Sequence, residues 1–445
     1  MDPYLGYEIA GAAVLVYALV VYALWRAGKV GPDRNLTLFG PALMLKTGRG
    51  RAALDRWGRF VRFWTALGDL GIALAAAAMV VIVGLLALGA VVSTHISPSQ
   101  APPVSEALGL PGINPAIPFS YGIIAIVVGI VLHELCHGVL ARSQKIGVKS
   151  LGVLWCVIPV GAFVEQDDAQ MSAASRRRRD RVAAAGVLAN FVLAVVFFVA
   201  LSALVTSSVA PNASGVGIAY VQPNTAAANV SLAAGDIITQ LNGTVTSTVS
   251  LFESAVARTV PNSSVGLTYY AASNGSLVST LIHLGTNPSN RSRGYLGVTV
   301  YALSPSQLRQ TLIWPLGSSS GPLAGVVDWL VLPLATIEPV ASPTSSFFHL
   351  VGPLGQVSPS AFWVGANALY FLAWMNLLLG LSNSLPLVPL DGGLLFRDFA
   401  ASVAARFRSG WTSARVDAFA ARATVLASVL VLVLLAWQFV VPRLG

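Results

Sequence analysis

His133-Glu134-Leu135-Cys136-His137 sets two imidazoles and a carboxylate within about one turn of a run, Phe119 to Leu140, that is otherwise almost wholly apolar. On a helix, residues i and i+4 share a face, so His133 and His137 can grip one ion while Glu134, one step round, reaches a water bound to it. Zinc hydrolysis wants that set: neutral nitrogen ligands, an open coordination position, and a base for a water whose pKa the ion lowers to about 7. The same spacing arises by chance on ordinary helices. In hydrocarbon, however, an ionisable group costs roughly 2.5 to 3.5 kcal/mol, so three in one turn need a use. The chain has five histidines, and this motif takes two of them. Cys136 lies near the histidine face, but three ligands from one turn would crowd one side of a tetrahedral ion, so it reads as a buried thiol.

The elements that must position these groups are membrane helices. Of 445 residues, 55% are hydrophobic and 10% charged, with mean hydropathy +0.72, whereas a soluble domain carries about 25% charged residues. The formal charge of +9 falls beside apolar spans, where positive-inside topology accounts for it, so no nucleic-acid partner is expected. The two cysteines, Cys136 and Cys156, lie in or next to apolar segments, which leaves no disulfide framework or cysteine-rich metal site.

Residues 7 to 26 form a first span, and the acidic start Met1-Asp2 lacks the basic flank of a cleaved signal peptide, so the span is expected to be retained. Nine basic residues from Arg26 to Arg62 mark 27 to 62 as cytoplasmic and put the N-terminus outside. A second span, about 64 to 93, runs outward, and a proline-rich stretch, 94 to 117, makes an outside loop. The histidine-bearing span then runs inward, its motif just before Arg142 and Lys145. Lys149 to Val164 is broken by Gly152, Pro159 and Gly161. It is too irregular to cross, and is expected to be a hairpin or re-entrant strand pair beside the metal helix. Arg176 to Arg179 and Arg181 read as a cytoplasmic stop signal. The fourth span, about 182 to 207, carries Asn190, and a lone asparagine there often only bonds a neighbouring helix.

From Pro211 to about Leu284 the chain turns to Ser, Thr, Asn and Gly with short alternating runs, a water-exposed β-rich domain with one helix near 251 to 258. Six of the seven Asn-X-Ser/Thr acceptors begin between Asn212 and Asn290, which points to an extracytoplasmic face. Residues 322 to 340 are apolar but interrupted by Asp328, Pro333 and Glu338. Parity allows one crossing, about 361 to 390, before the basic stretch Arg397 to Arg422, so 322 to 340 is taken as an interfacial or re-entrant piece on the outer side. That crossing ends at Asn383-Ser384-Leu385-Pro386-Leu387-Val388-Pro389-Leu390-Asp391-Gly392-Gly393, at the depth of the histidine motif. Residues 423 to 441 form a sixth span.

Three motifs in this order, the intramembrane HELCH, Gly186 to Asn190, and Asn383 to Asp391 with its Leu390-Asp391-Gly392 core, make the chain resemble the site-2 protease family of intramembrane zinc metalloproteases, in a PDZ-containing form. They cover about residues 118 to 207 and 361 to 395. The resemblance implies zinc, one per chain, on His133, His137 and Asp391, Glu134 as general base, and Asn190 and Asn383 holding substrate or its oxyanion. Val187 stands where the family often has proline. In the outer domain, Val221 to Ala228 and Leu232 to Gly243 look like the PDZ modules of membrane proteases, which implies peptide binding by strand addition, with Gly215-Val216-Gly217-Ile218 as the expected edge.

The expected fold is thus a mainly α-helical polytopic membrane protein of about six transmembrane helices with an inserted extracytoplasmic α+β PDZ-like domain. Its parts are a helix pair with a basic loop (1–97), a first catalytic portion (118–210), the PDZ-like domain (211–290), an outer linker (291–360), a second catalytic portion (361–395), and a basic stretch with the last helix (396–445). The expected activity is zinc-dependent hydrolysis of peptide bonds within transmembrane segments of membrane proteins, including ones already trimmed by another protease, from an active site near the cytoplasmic side of the cell membrane. A rival reading is a non-catalytic scaffold or chaperone with a structural metal, but structural zinc usually has four protein ligands. An ion transporter would favour paired internal repeats, and no second HELCH-like half is present.

Overall fold

The computed structural model describes residues 5–31, 34–107, 109–314, 316, 321–335, 338–408 and 410–444; Met1 and Asp2 lie outside them. Five helices among the described residues are long and apolar enough to cross a membrane. The first expected span is the helix α1 (Leu5–Arg26), counted by its described portion, Gly11–Arg26, as a shorter apolar helix. The chain divides into two compact units, one holding 1–114, 122–195 and 372–445, the other 115–121 and 196–371.

In the first unit α1 is followed by β1 (Leu36–Phe39) and β2 (Ala42–Thr47), a hairpin closed through Gly40 at φ +57°, which an L side chain seldom adopts. The stretch expected to be a basic loop is therefore partly sheet. Its arginines hid two short alternating runs, Leu36-Thr37-Leu38-Phe39 and Ala42-Leu43-Met44-Leu45. Next come α2 (Arg51–Gly58), α3 (Val61–Ser93), α4 (Phe119–Ser143), β3 (Val148–Cys156) and β4 (Ile158–Gln166). The four strands form one antiparallel sheet in the order β1-β2-β3-β4, with β4 at an edge. Lys46 on β2 pairs with Glu165 on β4 at 3.1 Å. The Ser150 hydroxyl, with Lys46 beside it, holds the Glu165 carboxyl below the usual carboxylate range. Tyr17 of α1 ties in through its hydroxyl, which accepts from Leu43 N–H and lies within 2.8 Å of the Pro41 and Trp155 carbonyl oxygens.

After α5 (Asp168–Ala173) comes α6 (Arg176–Ser208). Small residues let α3 approach it closely, the usual device where lipid removes the hydrophobic drive between helices. A β-carbon on Gly68 would sit 2.9 Å from Arg181 Cβ, and one on Gly71 3.1 Å from the Ala184 carbonyl oxygen. The arginine run also acts as a clamp between the two helices. Arg181 grips Asp69 of α3 with two hydrogen bonds, 2.8 and 3.0 Å, and Arg177 adds a third at 3.1 Å.

After α6 the second unit carries β5 (Val209–Pro211), β6 (Val216–Val221), α7 (Ala226–Asn229), β7 (Ile237–Leu241), β8 (Thr244–Val245) and α8 (Val249–Ala257). It continues through β9 (Ser264–Ala271), β10 (Ser276–His283), β11 (Gly285–Thr286), β12 (Gly294–Tyr295), β13 (Val298–Val300), α9 (Pro305–Ile313), α10 (Pro322–Ala335) and β14 (Phe348–Leu350). The main sheet runs β10-β9-β7-β6-β13 with β8 on β7, over a core that includes Ile218, Leu241, Phe252 and Leu267. β13 lies beyond the expected domain end at 290. At 14 residues, about 21 Å of helix, α10 is too short to cross.

The chain ends with α11 (Pro359–Asn383), α12 (Asp391–Phe407) and α13 (Ser413–Val440). The expected basic stretch after 395 is thus mostly the rest of α12, an amphipathic helix whose Ala400, Ala401 and Ala404 pack on Val416 and Ala420 of α13.

Candidate active site

Four elements of the first unit supply the site. α4 presents His133 and His137, one turn apart on a face only 8% and 6% exposed. α12 presents Asp391 in its first turn, where the positive end of the helix favours a carboxylate. The tight approach to that turn demands glycine: a β-carbon on Gly392 would overlap the Ser384 and Leu385 carbonyls, and one on Gly393 would lie 2.8 Å from the Leu387 carbonyl oxygen.

The three side chains meet at one point. His133 Nε2 and His137 Nε2 are 3.1 Å apart, and Asp391 Oδ2 lies 3.3 and 3.2 Å from them. The second nitrogen of each ring is committed elsewhere. His137 Nδ1 donates to the Val182 carbonyl of α6 at 2.7 Å, and His133 Nδ1 lies 3.1 Å from the Asn190 amide. If His133 ligates through Nε2 as a neutral ring, its proton sits on Nδ1, and the Asn190 oxygen would then accept from it. The two amide orientations differ only by a half-turn, and the other leaves Asn190 Oδ1 buried without a partner. With both ring protons so placed, Asp391 Oδ2 is buried with no donor, and three lone pairs converge on one another. A metal ion held by the three atoms would relieve that arrangement, as would a proton on one of the rings. Tetrahedral zinc with bonds of about 2.0 to 2.2 Å sets its ligands roughly 3.3 to 3.6 Å apart, slightly wider than the spacing found. The donor set therefore fits a metal ion.

Glu134, half-buried, accepts from the Val164 N–H of β4 at 3.0 Å. Gly186 of α6 completes the cradle, since a β-carbon there would overlap the His133 ring and come within 2.5 Å of His137 Nε2. Gly186 opens the Gly186–Asn190 motif, but no role at the site followed from the sequence, because only the folded helices bring its α-carbon against the two rings.

Other expectations fare differently. Asn190 is beside His133 and 1% exposed, in a position to orient the ligand. Asn383 is not in the cluster; its amide donates back to the Leu379 carbonyl of its own helix at 3.0 Å. Cys136 is a free thiol outside the three-ligand group. The edge expected at Gly215 to Ile218 does not exist, because β6 is an interior strand paired with β7 and β13. Val216 and Ile218 are fully buried, and a side chain at Gly217 would overlap the Phe347 ring. An alternating Gly-Val-Gly-Ile run looks alike at the edge and in the middle of a sheet.

Long apolar helices carrying a buried His-His-Asp group with a carboxylate beside it define a membrane protein with a candidate hydrolytic metal centre. Residues 121–431 match peptidase family M50, and the chain belongs to that family. It is 30% identical to an uncharacterized protein of Methanocaldococcus jannaschii over 239 residues, 52% of this chain and 60% of the relative, so it spans about three fifths of that protein's length. It is 27% identical over 303 residues to a protein of Clostridium perfringens named "Putative zinc metalloprotease", covering 62% of this chain and 85% of the other. A Rickettsia conorii protein given the same designation is 24% identical over 312 residues, with 61% and 85% covered. The chain is thus a membrane protein of a metalloprotease family.

Proposed function

We propose that this protein hydrolyses peptide bonds within transmembrane segments of other membrane proteins, with one zinc ion held by His133, His137 and Asp391. The observation that carries the proposal is the convergence of three potential ligand atoms from His133, His137 and Asp391, 3.1 to 3.3 Å apart. Zinc in that position supplies a Lewis acid that lowers the pKa of water to about 7 and polarises the scissile carbonyl. Glu134 takes the proton of the attacking water and delivers it to the leaving amine. Asn190 holds His133 in the ligating tautomer, and the Val182 carbonyl does the same for His137. A helical substrate hides its carbonyls in its own hydrogen bonds, so it must unwind first; the β4 edge beside Glu134 is where the unwound segment would be held.

In this reading, residues 27–62 and 141–181 face the cytoplasm and 211–300 the outside. The outer domain, inserted between α6 and α11, screens substrates and admits membrane proteins already trimmed by another protease.

The test uses purified full-length protein and a membrane-embedded test substrate. Glu134→Gln should keep its metal and lose cleavage, while His133→Ala and Asp391→Ala should lose both. Full zinc occupancy in the two ligand variants would overturn the assignment.

A further inference from the structure

We infer that the groove between α4 and the β3–β4 hairpin is a specificity subsite, which takes a large aliphatic or aromatic side chain from the substrate and whose depth is set by Ala162. The inference rests on the protease reading above and specifies which substrates that site accepts.

The sheet geometry fixes where a substrate strand would run. β4 is an edge, and the Val164 N–H points away from β3, because it is given to Glu134. In an antiparallel ladder the outward-pointing backbone groups recur every second residue, so the N–H and C=O of Ala162 point the same way. A peptide added to this edge therefore bonds β4 near Ala162 and passes Glu134 at Val164, about 6.8 Å further along.

Side-chain direction fixes what that peptide presents. Val164 packs toward α4, its Cγ1 only 3.2 Å from where a β-carbon on Gly138 would be. Ala162, two residues away, shares that face, and so does the substrate residue paired opposite it. On that face lies a groove of about 280 Å³ whose walls include Ile126, Ile130 and Val131 of α4, with Val153, Gly161 and Ala162 of the hairpin. No charged or hydrogen-bonding side chain lines it. Ile126 and Ile130, one turn apart, make one wall, and the small Ala162 side chain of β4 leaves the opposite side open. A lipid chain also suits apolar walls, but it offers no partner to the backbone groups beside them. A peptide satisfies both. The selected residue lies about two positions from the bond that faces Glu134.

The experiment uses the full chain in vesicles with a series of transmembrane substrates that differ only at one position near the cleavage site, carrying Ala, Leu or Phe. Wild type should cut the Leu and Phe members faster than the Ala member, on the order of tenfold, the discrimination that filling an apolar pocket can give. Ala162→Val and Ala162→Leu, which fill the groove, should reverse the order, so that the Ala member is cut faster than the Leu and Phe members. Ile130→Ala, which deepens it from the other wall, should favour Phe over Leu. Zinc content, measured in parallel, should stay at the wild-type level. Variants that keep their metal and retain the wild-type preference, the result expected if lipid fills the groove, would overturn the inference. Uniform loss of cleavage with metal retained would do so too, because a subsite must discriminate. A wild type that holds zinc and cuts no member of the series would instead refute the protease reading, and this inference with it.

Discussion

Three of the site's side chains were legible in the sequence because helical spacing alone puts them together: His133, Glu134 and His137 need only the i, i+4 rule. Asp391 was reached through its Leu-Asp-Gly context, since nothing local ties it to α4. What the sequence hid is the missing atom at Gly186. Replacing it with alanine sets a methyl group against both imidazoles, so Gly186→Ala should fold, bind less than a tenth of the wild-type zinc under competing chelator, and lose activity at least a hundredfold. Gly84, whose β-carbon would meet nothing, is the control; Gly84→Ala should change neither. Asn190 makes a finer test. Asn190→Ala leaves the His133 Nδ1 proton without its acceptor and should weaken zinc binding by about 10- to 100-fold. If Asn190 acted only on substrate, the variant would lose turnover with zinc affinity unchanged.

Among the elements, hydropathy found α3, α4, α6, α11 and α13 because each is a long uninterrupted apolar run. It missed β1, β2 and α12, where charged residues outweigh a short pattern: Lys46 sits inside β2, and Arg397 and Arg406 lie on α12. α12 matters because it carries Asp391, and its orientation is fastened two turns further on. Arg179 of α6 holds Asp398 through paired hydrogen bonds of 3.0 and 2.8 Å, a fork that lysine cannot reproduce. Both side chains are mostly buried, at 28% and 13% exposure. Arg179→Lys should therefore lower zinc affinity several-fold while Glu134 stays competent, read as reduced metal retention with normal turnover per bound zinc. Strand β4 allows a cleaner substitution. Val164→Pro removes the N–H that Glu134 accepts without taking a bond from the β3 ladder, and edge strands tolerate proline. Zinc should stay and cleavage fall at least tenfold; unchanged cleavage would show that the Glu134–Val164 bond has no part in positioning the base.

For the molecule as a whole, the composition told of membrane helices and of a polar insertion, but not where the insertion closes. β13 pairs with β6 across a gap of more than seventy residues, and short strands at such separation leave no periodic signal. The deletion that tests the screening role must therefore remove residues 212–301 as a unit, behind a short flexible linker. Metal content should be unaffected and untrimmed membrane proteins should become substrates. A deletion variant that still refuses them, and cuts trimmed ones at the normal rate, would make the domain a brace.

The sheet that ends in β4 is stitched from two distant stretches, and only one of them belongs to the family's shared region. Residues 121–431 carry the match, whereas β1 and β2 fall at 36–47. A lone two-stranded hairpin is marginal in water, so β3 and β4 depend on neighbours that common descent within the matched region does not guarantee. In this chain β2 is the strand that backs β3, so a change in β1 or β2 reaches β4 through the sheet. Substitutions far away in sequence, at residues 36–47, would thereby shift the strand beside Glu134 while leaving His133, His137 and Asp391 in place.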